Sequence, residues 1–184
     1  MLAALDSVLT AWSKSELTSL VGNLAHPGIV GVDGLTGSGK SWTAQHLSTS
    51  LGWTLVACDS FVRHGKLFYP HVLDLSALRA TLHNSQKPLI VDGVMLRLVL
   101  QAIDTPATHN IYTRRRNPDG SLHSPEFFES FSAPDMIAAK NELCRLIGIN
   151  DNDPILAREL ISYHEAFRPF ESADLVFENL HGGS

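Results

Sequence analysis

Gly34-Leu35-Thr36-Gly37-Ser38-Gly39-Lys40-Ser41 is the stretch on which the reading of this chain turns, because it fits the pattern G-x-x-x-x-G-K-[ST]. Glycines there let successive backbone N–H groups turn inward on an anion, where a Cβ would obstruct the approach. The lysine of the pattern reaches the β- and γ-phosphates of a nucleotide, and its final hydroxyl suits a bound Mg²⁺. Ile29-Val30-Gly31-Val32 enters the loop as a short apolar run and is predicted to be a buried strand. Ser41 to Ser50, with Trp42, Ala44 and Leu47 at usable spacings, is predicted to be a helix. Such a helix aims the positive end of its dipole at the same anion. Strand, loop and helix together are the context the pattern needs, and a merely flexible Gly/Ser turn explains neither flank. The candidate nucleotide-binding residues are therefore Gly34, Leu35, Thr36, Gly37, Ser38, Gly39, Lys40, Ser41 and Trp42.

Working outward, residues 2–21 read as an amphipathic helix, with Leu5, Val8, Leu9, Trp12, Leu17 and Leu20 near one stripe. Further strands are expected at Thr54–Cys58, Leu89–Val91, His109–Thr113 and Leu175–Phe177. Helices are expected at about Leu75–His83, Val94–Ile103, 133–147 and 154–168. Strands alternating with helices predict an α/β fold, with a mainly parallel sheet between helical layers and right-handed crossovers. Neither repeats nor linkers divide the chain, so residues 1–184 are expected to form one domain, with a possible short lid at about 114–124.

Composition narrows the classes of partner. Of the 184 residues 44% are hydrophobic and 18% charged, which suits a globular domain with a real core. The formal net charge of −5 argues against a nucleic-acid backbone as partner. No apolar run approaches the roughly 20 residues of a membrane span, so no membrane partner is expected. The opening Met1-Leu2-Ala3-Ala4-Leu5-Asp6 lacks the basic start of a secretory leader. Cys58 and Cys144 have no C-x-x-C neighbour, which points to a reducing cytoplasm rather than a disulfide framework. The nine histidines form no close ligand pair at helical spacing.

Two acids carry the chemistry further. In an open parallel sheet, ligands bind beyond the carboxyl ends of the strands. Asp59 and Asp92 both follow apolar strand residues at such ends. One carboxylate there can orient or deprotonate an attacking hydroxyl, and the other can organise Mg²⁺. Each could instead be a cap or turn residue.

The combination resembles the uridine kinase and phosphoribulokinase group of P-loop kinases. Its marks are the Walker A loop at Gly34–Ser41, Asp59-Ser60-Phe61, and Val91-Asp92-Gly93. Tyr163-His164, Arg168-Pro169 and Ala173-Asp174-Leu175-Val176 are similar to the group's tail beside the nucleotide base. The resemblance spans about residues 29–177 and implies a nucleoside- or nucleotide-kinase-like three-layer fold. It further implies ATP- and Mg²⁺-dependent transfer of the γ-phosphoryl group to a hydroxyl of a small molecule. Asp59 would be the general base, Lys40 a catalytic cation, and Ser41 and Asp92 the Mg²⁺ site. Arg114, Arg115 and Arg116 are the candidate phosphate-binding arginines of a lid, and alternation in an extended segment leaves open which one acts. The acceptor pocket is expected between Phe61 and Tyr69, with Phe61, Arg63 and Tyr69 as candidate substrate contacts. Two departures separate the chain from the group. It has no pyrimidine-reading motif between Asp59 and Asp92, and its arginines form a tight triplet rather than a spaced set on a helix. The resemblance therefore implies the reaction class and not uridine. Either a monomer or a homodimer is compatible with the sequence. Strings typical of GTPase switches (N-K-x-D, D-x-x-G) and of transporter ATPases (L-S-G-G-Q) do not occur.

Overall fold

The computed structural model describes residues 8–63, 71–123 and 154–180. Within them the strands are β1 Leu9–Ala11, β2 Ile29–Gly34, β3 Thr54–Ala57, β4 Leu89–Asp92, β5 His109–Arg115 and β6 Leu175–Asn179. They form one sheet in the order β1-β6-β5-β2-β4-β3, and every pairing is parallel. The helices are α1 Lys14–Gly22, α2 Lys40–Leu51, α3 Leu75–Asn84, α4 Leu96–Ala102 and α5 Pro154–Phe167.

Each face of the sheet is covered, as a parallel sheet requires. On one face Val30, Val32, Ile90, Ile111, Leu175 and Phe177 pack with Leu17 and Val21 of α1 and Ala44 and Leu47 of α2. On the other, Ile29, Val56, Leu89 and Val91 pack with Leu78 and Leu82 of α3 and Val99 and Leu100 of α4. Tyr163 of α5 packs with Met95, just ahead of α4. Among the described residues no helix is long and apolar enough to cross a membrane.

β2 is the pivot of the topology. The chain leaves it toward β3 and β4 on one side and then crosses to β5 and β6 on the other. The carboxyl end of such a strand opens onto the crevice where α/β proteins bind ligands. The loop at Gly34–Ser41 begins at that point.

The N-terminal expectation needs correcting. Residues 9–11 form a strand, and the helix starts only at Lys14. Ser13 caps it, its Oγ accepting from Glu16 N at 3.2 Å, while Glu16 accepts from Trp12 N at 2.8 Å. Ser13-Lys14-Ser15-Glu16 is thus an S-x-x-E start signal inside what reads as continuous periodicity. Pairing with β6 draws the residues before it into the sheet and buries Ala11. Two further shifts bear on the site. Cys58–Phe61 is a 3₁₀ turn rather than the end of β3, and α4 begins at Leu96 rather than Val94. The expected helix at 133–147 lies outside the described residues.

Candidate active site

β2 delivers the glycine loop, and the loop leads directly into α2. Gly39 caps α2 at φ 89°, a left-handed conformation that favours glycine, and a Cβ there would collide with the Asn179 side chain. Asn179, at the end of β6, holds the loop by donating from Nδ2 to Ser38 O at 3.0 Å. A Cβ on Gly34 would lie 2.5 Å from Thr113 O of the neighbouring strand. The loop is thereby pressed against the ends of β5 and β6. The first N–H groups of α2, including those of Ser41 and Trp42, have no intrahelical acceptor. Among the described residues the buried Ser38 Oγ and Thr113 Oγ1 also lack a partner. This cradle of glycine backbone, orphan donors and buried Lys40 suits an anion of phosphate type.

Asp92, the last residue of β4, is buried, and its carboxyl lies beside the Ser41 side chain. Burial raises its pKa and the charge of Asp59 adds to the rise, while Ser41 and Lys40 oppose it. Asp59 sits in the 3₁₀ turn after β3, on the strand next to β4, and is exposed to solvent. The structure therefore brings Lys40, Ser41, Asp92 and Asp59 together at adjacent strand ends. A buried carboxylate beside a hydroxyl, with a second carboxylate near, is an oxygen-rich arrangement that suits a hard divalent cation such as Mg²⁺.

The arginine triplet is divided by the pleat. Arg114 and Arg115 belong to β5 itself rather than following it, which corrects the expected start of the lid. Arg114 and Arg116 turn to one face and share Glu178 of β6, a side chain fully buried between them. Arg114 also lies over the Phe170 ring at 4.3 Å and Arg116 over Trp12 at 5.2 Å. Arg115 turns the other way, its guanidinium 3.5 Å from Gly37 O in the loop. Beyond it Asn117–Gly120 turns tightly and Arg116 bridges to Leu122. The rest of the expected lid, from residue 124, lies outside the described residues.

Other expected contacts fall elsewhere. The Trp42 ring is engaged by Lys14 of α1, at 4.0 Å, and by His46, so its side chain is turned from the loop. Phe61 packs against the core beneath α3. Arg63 pairs with Asp74, the N-cap of α3, at 2.6 Å. With the bridge between Val62 and Leu73, these residues close the neck of the segment where the acceptor was expected. Tyr69 lies outside the described residues.

Sequence reading missed Asp33. This residue ends the apolar run of β2, is buried, and accepts from Gly34 N at 2.7 Å and from the Tyr163 hydroxyl of α5. Burial pushes its carboxyl up to about 6, against the lowering effect of Tyr163, Gly34, the Leu96 N–H and Arg97. An acid inside an otherwise apolar strand was the available signal. Glu178 and Asn179 were missed for want of any local pattern.

No protein-family model matches the chain, and no curated protein matches it in sequence. Solved structures do. A possible uridine kinase from Bacillus stearothermophilus is similar at 16% identity and a TM-score of 0.54, over 89% of this chain and 96% of that one. A proposed fructose transport system kinase from Silicibacter sp. TM1040 aligns at 15% identity and a TM-score of 0.47, over 90% and 99%. At such identity the likeness is one of fold. The chain shares the α/β fold of that possible uridine kinase.

Proposed function

We propose that this protein is an ATP- and Mg²⁺-dependent kinase acting on a hydroxyl of a small molecule, nucleoside-like or another metabolite. The observation that carries the reading is the meeting of Lys40 and Ser41 of the glycine loop with buried Asp92 at the end of β4, with Asp59 on the adjacent strand end. When bound, ATP supplies the phosphoryl group and Mg²⁺ neutralises its charge. The loop N–H groups and Lys40 hold the phosphates, and Ser41 with Asp92 would hold the metal. Arg115, alone of the triplet in reaching the loop, is the arginine assigned to the phosphates. Asp59 takes the proton of the acceptor hydroxyl as its oxygen bonds to the γ-phosphorus and the bond to the β-phosphate oxygen breaks. The buried thiol of Cys58 is free, in keeping with a cytoplasmic enzyme. The acceptor is a metabolite in this reading, with neither nucleic acid nor membrane as partner.

The test is a screen of nucleosides, sugars and vitamins for ADP release, with Lys40→Ala as control. Phosphate recovered on one compound, and lost in the control, supports the reading. ADP release without any phosphorylated acceptor favours a P-loop ATPase instead. No binding of any nucleoside triphosphate overturns both.

A further inference from the structure

The mechanism above leaves one buried ionisable cluster unused. Asp33 lies at the end of β2, on the sheet face opposite Ser41 and Asp92, since the register pairs Val32 with Asp92 and alternate residues point oppositely. Two donors meet on its carboxyl: Gly34 N from the first residue of the phosphate loop, and the Tyr163 hydroxyl from α5. Arg97 adds its charge and donates its N–H to the Tyr163 oxygen at 3.4 Å.

The backbone is bent to make this possible. Met95 is buried with φ 49° and ψ 41°, a left-handed conformation that a residue with a side chain adopts at a cost. Such strain persists where the surroundings over-determine it, commonly at functional sites. Just beyond Met95, Arg97 N reaches the Tyr163 hydroxyl of the Asp33–Tyr163 pair. Met95 is separated from Asp92 only by Gly93 and Val94. Asp33 thus holds the first residue of the phosphate loop directly and, through Tyr163 and the Arg97 N–H, the short segment that follows Asp92.

His164, next to Tyr163 on α5, is held at both ring nitrogens. His164 Nδ1 donates to Leu160 O at 2.8 Å, leaving Nε2 to accept from the buried Tyr112 hydroxyl at 2.7 Å. Burial keeps His164 below its ordinary pKa and holds Tyr112 and Tyr163 well above theirs.

We infer that Asp33 is a positioning residue: through Gly34, and through Tyr163 with the Arg97 N–H it accepts, it fixes the phosphate loop relative to the Asp92 segment, so that phosphate and metal are bound as one unit. This rests on the reading that Mg²⁺–ATP binds at that loop.

The readout is the ratio of ATP dissociation constants measured by calorimetry in EDTA and in Mg²⁺, which reports how strongly metal and phosphate binding are coupled. In Asp33→Ala and Tyr163→Phe this ratio is expected to fall roughly tenfold or more, the order of one hydrogen bond to a charged group. Asp33→Asn, which keeps the shape and an acceptor for Gly34, is expected to lie between them and the wild type. Both constants weakening by one common factor would show that Asp33 merely holds the fold, and would overturn the inference. An unchanged ratio would do the same. Should Asp33→Ala not fold, Tyr163→Phe removes a single hydroxyl and decides the matter. If the wild type binds no ATP, the functional reading fails and the inference with it. Wild-type binding with an unaltered ratio in the variants overturns the inference alone.

Discussion

Ser41, in the first turn of α2, stands beside Asp92, the last residue of β4, its hydroxyl opposing the rise that burial gives the Asp92 carboxyl. The two come from adjacent units of the fold, one built to hold phosphate and one to end a strand beside it. A hydroxyl and a carboxyl brought together there supply two oxygen ligands without rearrangement. Mg²⁺–ATP is accordingly expected to stabilise the fold by about 2.7 kcal/mol at a hundredfold excess over its dissociation constant. Thermal unfolding with ATP, with and without Mg²⁺, checks this. Asp92→Asn should abolish the metal-dependent part and keep a shift from ATP alone.

Asp59 stands on the next strand end and is exposed, and among the described residues no hydrogen bond or ion pair to its side chain is found. Asp59→Asn should leave ATP affinity and melting temperature near those of the wild type. Turnover should fall by about 10²- to 10⁴-fold, the usual worth of a general base. A variant that kept near-normal phosphorylation would remove Asp59 from the mechanism.

Glu178 is expected to matter for folding and Arg115 for binding. Glu178 is fully buried between Arg114 and Arg116, which are themselves only 13% and 21% exposed at their side chains. Glu178→Gln leaves two guanidinium groups facing a neutral amide and should cost about 3 kcal/mol in urea unfolding. Arg115→Ala should cost little stability, yet raise the ATP dissociation constant measured by calorimetry. The opposite assignment of costs would mean that the triplet is divided differently.

Stability should depend on pH through Asp33. Its carboxyl ordinarily titrates at 3.8 and is pushed up to about 6 by burial. The folded chain therefore holds this proton more tightly than the unfolded one. The contribution is complete below 3.8 and is lost as pH rises through about 6, amounting to roughly 3 kcal/mol. Asp33→Asn does not titrate, so relative to wild type it should gain stability between about pH 4 and about pH 7. Urea unfolding of both proteins across that window measures the difference and cancels the other carboxylates, among them Asp92, raised, and Asp74 and Asp119, lowered. A flat difference would mean that Asp33 is ionised without cost.

The phosphate loop was legible from the chain because its parts are contiguous. A glycine turn, a lysine and a helix start act through backbone groups a few residues apart, and local pattern records them. Continuous apolar runs likewise disclosed β2 to β6, because a strand covered on both faces buries successive side chains, and helical periodicity disclosed most helices. The same reasoning failed at β1. The apolar stripe of residues 2–21 fits a helix, and only pairing with β6 draws Leu9–Ala11 into the sheet.

Roles set by distant partners were beyond local pattern. Arg114 and Glu178 lie 64 positions apart, and Asp33 and Tyr163 lie 130 apart. The sequence presented three equivalent arginines. Strand order placed Glu178 beside β5, and the pleat then left Arg115 alone facing the loop. By itself the sequence determined that a phosphate loop ends a strand in a parallel α/β sheet, because those features are local. Only the tertiary structure decided which acids and which arginine meet at that loop, because electrostatic partnership depends on distance in space and not along the chain.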